Sequence, residues 1–164
     1  MFNKEPETLS KVRFFDCDPI GHLSNIRYLD YMLNAREDHM LNEYQIDLFQ
    51  ESRKTGCTWV ALQNQIAYLK EVRFNQNVII TSKLVSFTDK VNTIEILMYN
   101  ERKDRIHAVL WLTSIYFNLM TRKSEIQPEG SVKMFTDLLV EIPEKTFDKR
   151  VAGLRHFNKS HSQK

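Results

Sequence analysis

Apolar residues recur along this chain with two different periods, and the change of period divides it into elements. Residues 1–9 are polar and read as a disordered or edge-lying lead-in. Val12, Phe14 and Phe15, broken only by Arg13, then have the composition of a short strand. Asp16, Cys17, Asp18, Pro19 and Gly21 end that run. Proline and glycine extend neither neighbouring element, so a geometrically forced loop is expected here. From Ser24 or Asn25, either a good helix cap, Tyr28, Leu29, Met32, Ala35, His39 and Met40 follow at helical spacing to about Tyr44. Ile26, Tyr31, Leu33 and Leu41 add apolar groups on other faces. The pattern predicts a helix enclosed on most sides by a sheet or a partner subunit, with Arg36, Glu37 and Asp38 marking its wet side. At ~1.5 Å per residue it is a rod of ~30 Å, long enough to span the domain.

Residues 46–55 are mixed and polar, a connector with room for one more helical turn. Beyond them the period falls to two. In residues 57–69, Thr58, Val60, Leu62, Ile66 and Tyr68 share one face and Trp59, Ala61 and Ala67 the other. Similar runs occupy residues 78–87 and 91–99, the latter with Ile94, Ile96 and Met98 on one side. A charged hairpin tip follows at residues 101–105. Residues 106–119 are apolar on both faces, which predicts a central strand covered on both sides. Pro128 and Gly130 break the chain, and Ser131 is placed to cap a short helix carrying Met134, Phe135, Leu138 and Leu139, which Pro143 closes. There is no internal repeat. Residues 1–143 read as a single domain and 144–164 as a flexible basic tail.

Composition narrows the class. The chain has 164 residues, 42% apolar and 27% charged, enough for a core without staples. No apolar run approaches the ~20 residues of a membrane span and no leader pattern opens the sequence, so a cytoplasmic protein without membrane partners is expected. Cys17 and Cys57 suit a reducing compartment and have no zinc-ligand spacing. The net charge is +2, concentrated at the end, where six Lys or Arg face two Asp or Glu from residue 144 onward. Without aromatic interleaving these charges point to no nucleic-acid partner. No Gly-x-Ser-x-Gly elbow and no glycine-rich phosphate loop are present. Asp16, Asp18 and His22 lack further ligands for a metal, His107 stands alone in a strand, and no cofactor is expected.

The chemistry concentrates between the first strand and the long helix. Asp16, Asp18, Gly21, His22, Ser24 and Asn25 bring carboxylates, an imidazole and an amide to a helix start, where free backbone N–H groups favour an anion or a polarised carbonyl. Each residue also has a plainer reading. Asp18 can form a turn, Asn25 a cap, His22 a satisfied loop contact, and Gly21 a backbone bend; Asp16 is assigned to loop structure. Cys17, between two carboxylates, is expected to have a raised pKa and to be a poor nucleophile.

The run DCDPIGH followed by LSNIRYL resembles the D-x-D-x-x-G-H-x-x-N-x-x-Y-L signature of hotdog acyl-CoA thioesterases of the 4-hydroxybenzoyl-CoA thioesterase family, and IAYLKEV downstream is also similar. The resemblance covers about residues 9–128. It implies an α+β hotdog fold, a five-stranded antiparallel sheet wrapped around one long central helix, and hydrolysis of an acyl-CoA thioester by a homodimer or homotetramer. It implies Asp18 as nucleophile or general base, the Asn25 amide as the group that polarises the carbonyl, and His22 in support. On the substrate side it implies Gly21, Tyr28 and Lys90. Lys90 matches one position of a basic cluster whose other members are replaced by Thr88 and Asp89; Arg73 and Lys83 are equal candidates for a phosphate. Trp59 and Tyr68, with Tyr28, are candidates for the acyl pocket. An acyl carrier protein thioesterase, or a module that binds acyl-CoA without cleaving it, are the alternatives.

Overall fold

A computed structural model describes residues 2–161. In chain order the elements are β1 (Glu7–Lys11), a single 3-10 turn (Phe14–Asp16), α1 (Asn25–Glu43), α2 (Leu48–Thr55), β2 (Cys57–Tyr68), β3 (Asn77–Phe87), β4 (Val91–Asn100), β5 (Ile106–Asn118), β6 (Lys123–Ser124), α3 (Glu129–Leu138) and α4 (Phe147–His161). The strands form one antiparallel sheet in the order β1-β3-β4-β5-β2, with the two-residue β6 paired to β5. The sheet curls around α1, the arrangement of a hotdog fold.

The first strand lies earlier than the hydropathy pattern predicts. Glu7–Lys11 pairs with β3, while Val12 is fully buried in a loop and Phe14 and Phe15 sit outside the sheet, Phe15 being 91% exposed. Alternation in so short a run cannot distinguish an edge strand from the turn that follows it. The helix forms where expected, with Ser24 preceding its first residue and Tyr44 closing it. Its buried stripe of Tyr28, Met32, Ala35 and His39 packs on Ile80, Ile96, Met98 and Leu110 of the sheet. Leu29, Tyr31, Leu33 and Met40 are partly covered beside it, whereas Ile26 is 73% exposed and Leu41 is exposed too. Arg36, assigned from sequence to the wet side, instead turns inward and reaches Ser82 on β3.

In β2 the register shifts between Ala61 and Gln63, leaving Leu62 as an extra residue. A bulge changes the phase of the side chains. Trp59 and Ile66, placed on opposite faces by simple alternation, therefore both enter the concave core, and Ala67 joins the outer face. β5 is an interior strand between β4 and β2, covered on both faces as its composition predicts. Pro128 stands at the cap position of α3, three residues before the expected Ser131, since a proline preceding the first turn donates nothing that the helix would need. The residues read as a flexible tail form α4. Val151 and Leu154 cover Leu97, Ile106 and Val109 on the outer face, and the Asn158 side chain clasps both backbone groups of Ile106 at 2.8 Å. No described helix is long and apolar enough to cross a membrane.

Two polar clusters fix these layers. On the outer face the fully buried Glu95 accepts two Arg150 hydrogen bonds at 2.8 Å and one from the Trp111 indole at 2.9 Å, with Lys83 at 3.6 Å. Inside, the His39 ring meets Ser82 at 2.8 Å and Thr8 at 3.0 Å, tying the helix to β3 and to the edge strand β1. Burial, with help from Arg36, lowers the His39 pKa from 6.5 to about 4.

Two stability results follow. Removing the cation in Arg150→Met leaves a buried carboxylate short of partners and is expected to cost about 3–5 kcal/mol in urea unfolding. Because folded His39 binds fewer protons than the unfolded chain, its contribution is complete above pH ~6.5 and is lost as pH falls toward ~4, by about 3 kcal/mol. His39→Gln should flatten that slope in pH-dependent unfolding curves.

Candidate active site

The segment between β1 and α1 is held by backbone bonds to the loop before β3. Val12 exchanges bonds with Gln76 and Asn75 at 2.9 and 3.0 Å, the Leu23 amide donates to Val72 at 2.8 Å, and the Phe74 amide donates to Gly21 at 3.0 Å. Inside that frame Asp18 organises the turn. Its amide donates to the His22 carbonyl at 2.8 Å, and its Oδ1 accepts the amides of Ile20 and His22, each at 3.0 Å. An aspartate before proline readily closes a turn of this kind. Gly21 completes it at φ +81°, a left-handed conformation that disfavours a side chain. The turn engages only Oδ1. Among the described residues nothing bonds Oδ2.

Asp16 has a different task. Its Oδ2 accepts the Tyr31 hydroxyl at 2.7 Å, Arg27 lies 3.6 Å from Oδ1, and its carbonyl accepts the Ser24 amide at 2.9 Å. This links the loop to the helix, in keeping with a structural role. Ser24 gives the helix no side-chain cap; its carbonyl takes the Arg27 amide at 2.8 Å, and the amides of Asn25 and Ile26 have no acceptor among the described residues. The Asn25 carbonyl is held from β2 by the Tyr68 hydroxyl at 3.0 Å. Tyr68 packs edge-on against the buried Tyr28, at 5.1 Å between ring centres, and the Tyr28 hydroxyl accepts the Val72 amide at 3.3 Å. Tyr28 thus supports the helix start from below. A carboxylate oxygen and open helix amides, on one short rigid segment, can hold a carbonyl oxygen and present a base or nucleophile to its carbon.

The remaining expected residues are dispersed. His22 is half-buried and bridged to Arg73 through the backbone, and no described residue bonds its ring. Arg73, exposed and 3.8 Å from Glu71, therefore lies beside the loop. Lys83 does not reach it: its ammonium is buried between Glu5 at 3.0 Å and Glu95, which removes it as a phosphate contact. Lys90 is on the turn between β3 and β4, the far end of an 11-residue strand and ~30 Å from the loop in the same chain. The Cys17 thiol is pushed up by burial first, then by Asp16 and Asp18, as its neighbours predict.

One cavity escaped the sequence. It holds about 430 Å³ between the second half of α1, α2, β2 and α3, with Trp59, Ile94, Leu112 and Phe135 among its apolar walls. Of the acyl-pocket candidates only Trp59 lines it, and neither Asp18 nor Asn25 of the same chain does. The β2 bulge and the α3 crossing create it, and neither is legible as a pocket in a single hydropathy pattern.

The curled sheet, the enclosed helix and the loop at its start define a hotdog protein with a hydrolase-like site. The sequence profile of the Thioesterase-like superfamily matches residues 12–148, and the chain belongs to that family, whose chemistry is thioester hydrolysis. It is 25% identical over 135 residues, 82% of its length and 99% of the relative's, to the long-chain acyl-CoA thioesterase FadM of Escherichia coli K12. Among solved structures it superposes on the probable thioesterase YbaW of Escherichia coli with a TM-score of 0.70 at 25% identity, covering 82% and 98% of the two chains. The protein SAV2348 of Staphylococcus aureus, solved in complex with CoA, gives 0.75 at 15% identity, covering 88% and 91%.

Substitutions at Asp18 should separate its turn from its chemistry. Asp18→Ala removes the acceptor of two amides and is expected to cost about 1–2 kcal/mol in urea unfolding, whereas the Asp18→Asn side chain can still accept both and should change stability by less than about 0.5 kcal/mol.

Proposed function

We propose that the protein hydrolyses acyl-CoA thioesters at the start of α1. The carbonyl oxygen rests on the open Asn25 amide, and Asp18 attacks the carbonyl carbon through Oδ2 or draws a proton from a water that does so. Either course breaks the C–S bond and yields a free acid and the CoA thiol, by way of an acyl-aspartyl anhydride in the first. His22 borders the same turn as a supporting group. The observation that carries this reading is an aspartate with one oxygen committed to its turn and the other unbonded, beside a helix start without a side-chain cap. The named activity of the FadM relative and the CoA complex of the Staphylococcus neighbour support acyl-CoA as the substrate.

The active form in this proposal is at least a homodimer. β2 is a 12-residue edge strand, unpaired on one side among the described residues, with exposed Val60 and Leu62. An edge of that length invites pairing with a second copy. Antiparallel pairing about its middle would set Tyr68 and the α1 start of one subunit opposite the Cys57–Ala61 end of its partner, where the cavity lies. Lys90 of one subunit would then approach the site of the other, while Arg73 stays beside its own loop; both suit the CoA phosphates.

Release of free thiol from a panel of acyl-CoA and acyl carrier protein thioesters tests the reading. Wild type should turn over acyl-CoA in preference to the carrier-linked form, and Asp18→Asn should lower kcat at least ~100-fold. Full activity in that variant would remove the mechanism, and no turnover of any thioester would remove the reading.

A further inference from the structure

The cavity contains a cation that the fold does not neutralise. Arg36 lines it, donates from Nη1 to Ser82 at 3.3 Å, lies 5.5 Å from the centre of the Tyr44 ring and engages the Tyr44 hydroxyl as well. No carboxylate among the described residues pairs with it. Glu51, the acidic residue on the same wall, lies 3.5 Å from Lys54 instead. A guanidinium offers five donors in a planar fork, and those of Arg36 that Ser82 and Tyr44 do not engage can receive an anion bidentately. Burial lowers the Arg36 pKa, against the opposing pull of the Tyr44 hydroxyl.

A second observation concerns the other end of the cavity. Asn92 and Ser114, cross-strand neighbours on β4 and β5, both line it, and both are more than nine-tenths buried. Asn92 Oδ1 has no hydrogen-bond partner among the described residues. Ala61, on the edge strand, pairs with Ser114. The cavity therefore has a buried polar end at Asn92 and Ser114, apolar walls of Ile94 and Leu112, and a guanidinium on its helix side. Arg36 stands eleven residues after Asn25 along the helix, ~16 Å away, too far to share the carbonyl that the first turn holds in the same chain.

We propose that the cavity takes an acyl group bearing a second carboxylate at the end remote from the thioester, with that carboxylate held by the Arg36 fork. Asn92 and Ser114 offer hydrogen bonds to a polar atom elsewhere on the acyl group, and the walls of Ile94 and Leu112 accept its methylenes. This rests on the thioesterase reading for what lies outside the cavity, but the site itself is a property of the cavity.

The test compares dodecanedioyl-CoA, its terminal methyl ester and dodecanoyl-CoA on wild type, Arg36→Met and Arg36→Lys. In wild type kcat/KM should favour the dicarboxylic substrate over the other two. In Arg36→Met the ratio should fall at least about tenfold, the loss of a charge-assisted pair, and Arg36→Lys should retain part of it. A ratio taken within one preparation is independent of how much of the variant folds. Calorimetry with free dodecanedioate and dodecanoate gives a readout without turnover. Tighter binding of dodecanedioate that depends on Arg36 supports the site even if no thioester is cleaved, which would defeat only the hydrolase reading. A preference for the methyl-ended chain, an unchanged ratio in Arg36→Met, or equal binding of the two acids would overturn the inference while leaving hydrolysis intact.

Discussion

The candidate site depends on the first two amides of α1, those of Asn25 and Ile26, being left open. A helix start normally finds a side chain to occupy its free amides; here Ser24 precedes the turn without capping it, and the polar residues that could have done so are committed elsewhere. Asp16 is bound to Tyr31, and Asp18 spends one oxygen on the backbone of its own loop. The partial positive charge at the amino end of the helix therefore meets no side-chain cap. Such a group helps only if it is fixed before the substrate arrives. Tyr68 from β2 and Val72 from the following loop supply that rigidity, through Asn25 and through Tyr28 and Leu23.

The sheet makes this possible by burying both of its faces by different means. The concave side is apolar and closes on one helix stripe, with His39 as its polar rivet. The convex side carries Glu95, buried with Arg150, Trp111 and Lys83, and is closed by α4. With both faces covered, the edge of β2 and the exposed aromatic residues near the loop remain as surfaces for a neighbour. The dimer proposed above joins the open helix start of one subunit to the cavity of the other, so the parts separated within a chain become one site.

Much of this was legible in the sequence, and the failures have physical causes. The helix from residue 25, the four long strands after it and the turn between Asp18 and Asn25 follow from period and turn chemistry, because a long periodic run averages over local exceptions. Short elements do not average. The run Val12–Phe15 looked like a strand because apolar content alone cannot report that Glu7–Lys11 had already taken the edge of the sheet. Trp59 and Ile66 were separated because one extra residue at Leu62 reverses the faces. Arg36 looked wet beside Glu37 and Asp38, and Lys83 looked available, since charge says nothing of a buried partner or an internal cavity. The basic tail hid Val151 and Leu154 at helical spacing among six cations.

The measurement that bears most directly on the central claim is a crystal structure with a non-hydrolysable acyl-CoA thioether ketone, in which a methylene separates the carbonyl from sulfur. The account requires the ketone oxygen about 3 Å from the Asn25 amide nitrogen, with Asp18 Oδ2 facing the carbonyl carbon directly or through one water. A bound analogue whose carbonyl lies away from the helix start, with the Asn25 amide turned to solvent, would contradict it.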